Sequence, residues 1–247
     1  MWFSINKLKL NANKTNVLGF QLNNRNDKYT DVSIICKQEE VPLKPCAKLL
    51  GVIIDYNLKC SDHIDQLCKN LSKVNFALRI LRKCTGNEAL KSVYFAHFQS
   101  VLMYGIEFWG MAADYLIFRA FKLLKQAIRI IAGVGPRESC RKLFTELGIL
   151  SLPALYIAQV LIFFKRNPSY LDHTKPTHNY STRNGDKYVL IKHKTSAFEK
   201  GTVYAGQLFF NKLPQQLRNL DSVDDFKKQL KKYLLSLNLY HVNEFVN

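Results

Sequence analysis

The sequence predicts an α+β fold that is mainly α: a small antiparallel β-sheet or hairpin first, then a helical bundle and a helical C-terminal tail. Three observations carry that expectation. Up to residue 58 the apolar residues come in short runs between polar turns, the length and spacing of strands. From Asp62 onward they recur at i, i+3 and i+4, the spacing of a helix with one buried face. The chain also holds 36 Lys+Arg against 19 Asp+Glu, a formal charge of +17, so the faces that the helices leave wet are cationic. With 247 residues, 47% of them hydrophobic, it can bury a real core as one large domain or two small ones.

In chain order, Trp2, Ile5, Leu8 and Leu10 read as the end of a helix running into a strand, with no helix start before them, which suggests a piece of a longer parent. Three strand candidates follow: Val17–Leu22, Val32–Lys37 and Leu49–Asp55. Three short strands form only a small antiparallel sheet, which needs a cover for one face. The third candidate (Leu49, Leu50, Val52, Ile53, Ile54) ends in Asp55, turns through Tyr56-Asn57 and feeds a helix from Ser61 or Asp62. That junction organises the chain, with strands before it and basic helices after it.

The first helix buries Ile64, Leu67, Cys68, Leu71, Val74, Leu78 and Leu81 on one face. At 100° per residue, Lys69, Lys73, Phe76 and Lys83 gather on the other. Lysines with one aromatic suit a nucleic-acid backbone, and they equally suit a solvated face. Thr85-Gly86-Asn87 breaks the chain, and Asn87 is the expected N-cap of a helix reaching about Tyr104. Tyr104-Gly105 and Phe108-Trp109-Gly110 read as a compact corner, its aromatics either packed or free to stack on bases.

Asp114–Gly133 is the best amphipathic helix. Leu116, Ile117, Ala120, Leu123, Leu124, Ile128 and Ile131 line one face; Arg119, Lys122, Lys125, Gln126 and Arg129 line the other. Four cations with no interleaved acid do not form a salt-bridge-laced surface, so the stripe reads as a phosphate contact. A short helix, about Arg137–Leu147, stops at Gly148. Pro153 then opens a helix that is apolar nearly all round and is therefore expected to be buried. Residues 167–202 are polar and basic and read as a long connection; its His173 and His178 make no site. After the unit GQLFFNKLPQQLRNL, Ser222-x-x-Asp225 resembles a capping box and starts a closing helix with Lys227, Lys228, Lys231 and Lys232 on its wet side.

The charge favours a polyanionic partner, nucleic acid ahead of an anionic membrane surface. No apolar run approaches the ~20 residues of a membrane helix, and the N-terminus lacks a signal-peptide core, so an intracellular place, nucleus or cytoplasm, is expected. The cysteines at 36, 46, 60, 68, 84 and 140 form no CxxC and read as reduced thiols. Cys60-x-x-His63-x4-Cys68 lacks a fourth ligand, so no metal site is expected. There is no Gly-x-Ser-x-Gly nucleophile motif and no phosphate-binding glycine loop.

Several stretches together resemble a known family. They are Leu8-x-Leu10-Asn11-x-x-Lys14-Thr15; Lys48-x-Leu50-Gly51-Val52-x-x-Asp55-x-x-Leu58-x-x-Ser61-x-His63-Ile64; and Tyr104-Gly105-x3-Trp109-Gly110. Asn179-Tyr180-x-Thr182-Arg183 and Gly206-x4-Asn211-x-Leu213-Pro214-x-x-Leu217-Arg218 follow. In order and spacing they resemble the C-terminal part of a reverse transcriptase from a jockey-like non-LTR retrotransposon. The resemblance implies that residues 1–58 are the end of a polymerase palm with a primer-grip-like hairpin. Residues 59–166 would be a helical thumb, 167–202 a basic linker and 203–247 a helical tail. Lys14 would assist protonation of the leaving pyrophosphate. Leu50, Gly51 and Val52 would hold the primer end, the glycine admitting close backbone approach. The implied partners are an RNA template and an RNA–DNA or DNA primer duplex, gripped by shape and phosphate contacts. A dNTP and Mg²⁺ would belong to the complete polymerase, leaving no cofactor in this chain.

The departures from the family pattern matter as much. There is no Phe/Tyr-x-Asp-Asp; Asp224-Asp225 falls at a helix start in the tail, and Asp55, Asp62 and Asp65 fall in the hairpin and first thumb helix. Cys60 stands where the family usually has Trp, and Leu49 where it usually has Phe. The expectation is a template–primer-binding part that polymerises nothing by itself. The alternative is a non-enzymatic RNA- or DNA-binding protein derived from such an element. Residues 1–58, as a half-palm with exposed sheet edge, are expected to be poorly stable in isolation.

Overall fold

The computed structural model describes residues 5–8, 11, 15–20, 34–36, 39–41, 43–172 and 187–247. Lys14, Trp2, Leu10, residues 21–22, 32–33 and 37 of the first two strand candidates, His173, His178 and the stretch 179–183 lie outside the described residues, and the described part of the first candidate, 17–20, is no strand but holds an isolated parallel bridge from Val17 to Leu43. The described chain is mainly helical, with two antiparallel sheets of two strands each. It divides into two compact units, Met1–Asp65 and Gln66–Asn247.

In the first unit β1 (Ile34–Cys36) pairs with β2 (Glu39–Val41), and β3 (Cys46–Leu49) pairs with β4 (Val52–Asp55). The expected third strand, Leu49–Asp55, is thus corrected. Leu49 closes β3 opposite Val52, and Leu50-Gly51 is the two-residue turn between the strands. Both turn residues have positive φ, 47° and 91°, the signature of a type I′ hairpin, whose twist matches that of the flanking strands. Gly51 adopts this conformation freely; Leu50 does so at a steric cost of ~1–2 kcal/mol. The apolar run concealed the turn because a leucine occupies it.

Asp55 is buried at the end of β4, where its Oδ1 accepts from the Lys59 backbone N–H at 2.7 Å and closes the turn. His63 is buried as well, and its Nδ1 accepts from the Ile53 N–H at 3.4 Å. Burial lowers the His63 pKa, which keeps the ring neutral and able to accept.

Helix α1 (Ser61–Leu81) carries the chain into the second unit. There α2 (Asn87–Val93), a π-helical segment Tyr94–Gln99 and α3 (Ser100–Met103) follow in continuous helix, burying Leu90, Tyr94, Phe98 and Leu102. The residue preceding α2 is Gly86, and Asn87 is not its cap. The Asn87 Oδ1 instead takes a hydrogen bond from Arg82 Nη1, which also donates to the Ile131 carbonyl at 3.1 Å. The corner 104–110 contains α4 (Ile106–Trp109). Trp109 is fully buried and its Nε1 donates to the Tyr104 carbonyl at 3.1 Å, so this ring is core rather than a stacking surface.

Helix α5 (Asp114–Ala132) ends at Gly133 in the left-handed region, and α6 (Arg141–Leu147) follows. Helix α7 (Leu152–Arg166) is buried on almost every side, as its composition predicts. Ser151 caps it, accepting from the Ala154 N–H at 3.4 Å while donating to the Leu239 carbonyl. After the short α8 (Ser169–Asp172) and α9 (Ser196–Glu199), α10 (Thr202–Lys212) packs on α7. Gly206 makes the approach close, since a Cβ there would collide with the Phe164 ring. The short α11 (Gln215–Arg218) precedes α12 (Val223–Leu237), which lays Phe226, Leu230 and Leu234 against α7, and α13 (Asn243–Val246) touches α10. Ser222 caps α12 by accepting from the Asp225 N–H at 3.3 Å. Each fully buried Leu, Ile or Phe of this core stabilises it by ~1.5–3 kcal/mol. Among the described residues no single helix is long and apolar enough to cross a membrane.

Candidate nucleic-acid interface

The site is built on α5. Its apolar face, from Leu116 to Ile131, is buried as its period requires. Its opposite face begins with Tyr115, Phe118, Arg119 and Lys122, all exposed. The two rings are 64% and 57% exposed, so two aromatics lead into the cationic stripe. Neither belonged to the stripe as read from the sequence. The same 100° arithmetic places them on it, but attention to cations alone passes them over.

The stripe then changes character. Lys125 is half-buried, its Nζ 5.2 Å from the Phe118 ring centre, 4.8 Å from that of Phe121 and 5.8 Å from that of Tyr240. Three ring faces around one ammonium form a cation–π cage. Burial lowers the Lys125 pKa, and the charges of Arg129 and Lys122 act in the same direction. Arg129, also half-buried, donates from Nε to the Glu138 carbonyl at 2.8 Å and pins the loop after the helix. Tyr240 packs edge-on to Phe121 and Phe144 at 5.1 and 6.2 Å, with the Arg141 guanidinium 4.6 Å above its ring.

Helix α1 lies beside α5. Its buried Asn75 donates from Nδ2 to the Leu123 carbonyl at 3.0 Å, and Arg82 reaches Ile131 one helical stretch further on. Both contacts advance together along the two helices, which therefore run parallel. Lys69 and Lys73 are exposed on α1, with Phe76 beside them at 63% exposure; Lys83, expected on the same helix, is exposed in the turn after its end at Leu81.

In the first unit, Leu50 projects from the hairpin tip, 84% exposed, beside Gly51; Val52 is half-buried. Asp55, which could tempt as a metal ligand, is occupied by the Lys59 N–H. Burial, with the nearby Asp55 charge adding to it, pushes the Cys60 thiol up to about 12, far from the thiolate a metal needs. Among the described residues no three His, Cys, Asp or Glu are grouped to hold a metal ion. These residues do not fit the Mg²⁺ site of a polymerase, and no chemical step here runs through one.

No family model matches the chain, and neither a curated protein nor a solved structure matches it.

Proposed function

We propose that this chain is a nucleic-acid-binding part of an RNA-directed DNA polymerase of the jockey-like non-LTR retrotransposon type, serving template–primer binding rather than catalysis. The observation that carries the reading is the exposed pair Arg119 and Lys122 on α5, beside a parallel α1 that exposes Lys69 and Lys73. Cations on two adjacent rigid helices suit the phosphates of a helical duplex, and release of condensed counterions supplies the driving force. In this reading α1 through α7 act as the thumb. The hairpin of β3 and β4 acts as the primer grip, presenting Leu50 and the Gly51 backbone to the primer end. No residue is assigned to phosphoryl transfer.

The test is fluorescence anisotropy with a labelled RNA–DNA hybrid, single-stranded RNA and duplex DNA over a salt series. The hybrid should bind best and with a steep dependence on salt. Arg119→Ala combined with Lys122→Ala should flatten the log–log salt slope by about 2, as expected for two lost phosphate contacts. Equal, shallow binding to all three would sink the proposal.

A further inference from the structure

A cleft of about 370 Å³ opens in the second unit where the continuous helix through Phe95 and Met103 meets α7 and α12. Neither Arg119 nor Lys122 lines it. Helices α7 and α12 run antiparallel. Ser151, at the start of α7, bonds the Leu239 carbonyl just past α12, and Lys165, near the end of α7, lies 5.7 Å from the Phe226 ring centre at the start of α12. The cleft therefore has a direction. Arg166 and Lys227 stand at one end, and Lys231 follows with its Nζ 6.0 Å from the Phe95 ring centre. Leu150 and Leu155 stand at the other end. Along the way Met103, Gln159 and Ile162 are half-buried, so solvent reaches the wall. Among the described residues no Asp or Glu lines the cleft; Asp224 holds Lys227 from outside it, at 3.0 Å. Arg166 and Lys231 are exposed. Phe95 and Gln99 come from the π-helical segment, a distortion that is rare in helices and recurs at functional sites.

We propose that this cleft binds a free fatty acid, its carboxylate between Arg166 and Lys231 and its chain running along α7 toward Leu155. The inference stands apart from the nucleic-acid-binding reading. Two features select this occupant. The first is girth. From Leu155 to Arg166 the lining of α7 spans ~16 Å at a rise of about 1.5 Å per residue. A volume of about 370 Å³ spread over that length leaves a cross-section of roughly 20 Å². A helix, about 10–12 Å across, is far too wide. An extended peptide, which takes about 4.8 Å by about 10 Å, is also too wide. One unbranched alkyl chain fits, and the two chains of a membrane phospholipid do not. A single apolar side chain would fill only part of the length. The second is polarity. Cations without a lining carboxylate gather at one end and leucines at the other, which matches a molecule with an anionic head and an apolar tail. Gln99 adds little polarity, because its Nε2 is turned to the Met103 sulfur at 3.3 Å.

The experiment titrates the full chain, labelled with ¹³C at its methionine methyl groups, with octanoate, decanoate and dodecanoate below their micelle-forming concentrations. The chain has three methionines, of which Met103 lines the cleft and Met111 lines a separate cavity beside α5. The Met103 signal should shift and the Met111 signal should stay. Each added methylene should tighten binding roughly 4-fold, and tetradecanoate should gain less per methylene because the cleft is full. Dodecanol, which has the same chain without the charge, should bind more weakly. Arg166→Gln combined with Lys231→Gln changes only exposed side chains and should retain the melting temperature. It should weaken dodecanoate roughly 3- to 30-fold, the span of two partly exposed ion pairs, and leave dodecanol unchanged. A shift at Met111 alone, or an affinity indifferent to chain length, would overturn the proposal. Equal binding of dodecanol and dodecanoate would remove the anionic head from it and overturn it as stated. So would vesicles of phosphatidylcholine and phosphatidylglycerol that shift Met103 where monomeric dodecanoate does not, since the face would then meet a membrane.

Discussion

Along one face of α5, Arg119 and Lys122 meet solvent, whereas Lys125 and Arg129, one to two turns further on, are half-buried and engaged. The four residues are alike in charge and helical phase. They differ in what the rest of the chain brings to them. The first pair stays exposed. Tyr240 folds over Lys125, and the Glu138 carbonyl takes up Arg129. A helical period decides which face a cation occupies. Residues distant in sequence decide whether that cation is available to a ligand or is part of the packing.

The contrast can be broken by substitution. The largest effect should come from Tyr240→Ala, which removes the ring shared by the Lys125 cage and the Phe121–Phe144 cluster. It should cost about 2–3 kcal/mol in urea unfolding. A change below about 0.5 kcal/mol would mean that the cage is not structural. Lys125→Ala should cost about 1–2 kcal/mol, through lost cation–π contact and stem packing together. The Arg119→Ala, Lys122→Ala pair should leave stability within about 0.5 kcal/mol, as usual for exposed positions. Its effect should appear in the salt slope alone. If instead it unfolded the protein more than Lys125→Ala does, the division of the stripe would be reversed.

The smallest effect is on pH dependence. The folded Lys125 pKa lies below the usual lysine value, so the unfolded chain binds more protons between the lowered pKa and about 10.5. Stability should therefore rise with pH across that window. Lys125→Met should lack this contribution, so the melting-temperature difference between parent and variant should drift in the parent's favour as the pH is raised toward about 10.5. A flat difference would show that the ammonium is as well solvated as a free one.

Much of this architecture was legible because its causes are local. The apolar period of α5, the all-round apolar α7 and the Ser222 cap follow from short-range spacing. Where the reading failed, the cause lay elsewhere. Leu50 was assigned to a strand because a leucine in the left-handed region leaves no compositional trace. Asn87 looked like a cap, but Arg82 takes its side-chain oxygen. The candidate site was half legible: the cations stood out, while Tyr115, Phe118 and the distant Tyr240 gave no signal until the helices were packed. The π-helical turn at Tyr94–Gln99 had no sequence cue at all.

The Ser151 clamp bears on how the molecule is made. The hydroxyl that caps α7 also holds the Leu239 carbonyl, 88 residues further along the chain. A ribosome adding ~5–20 residues per second reaches that partner roughly 4–18 s after Ser151 is made. Through that interval the apolar flanks of α7 wait for α10 and α12, which are still being synthesised. The apolar flanks of the nascent second unit should therefore stay open to solvent during elongation, and slowing translation between residues 166 and 239 should lengthen their exposure to aggregation.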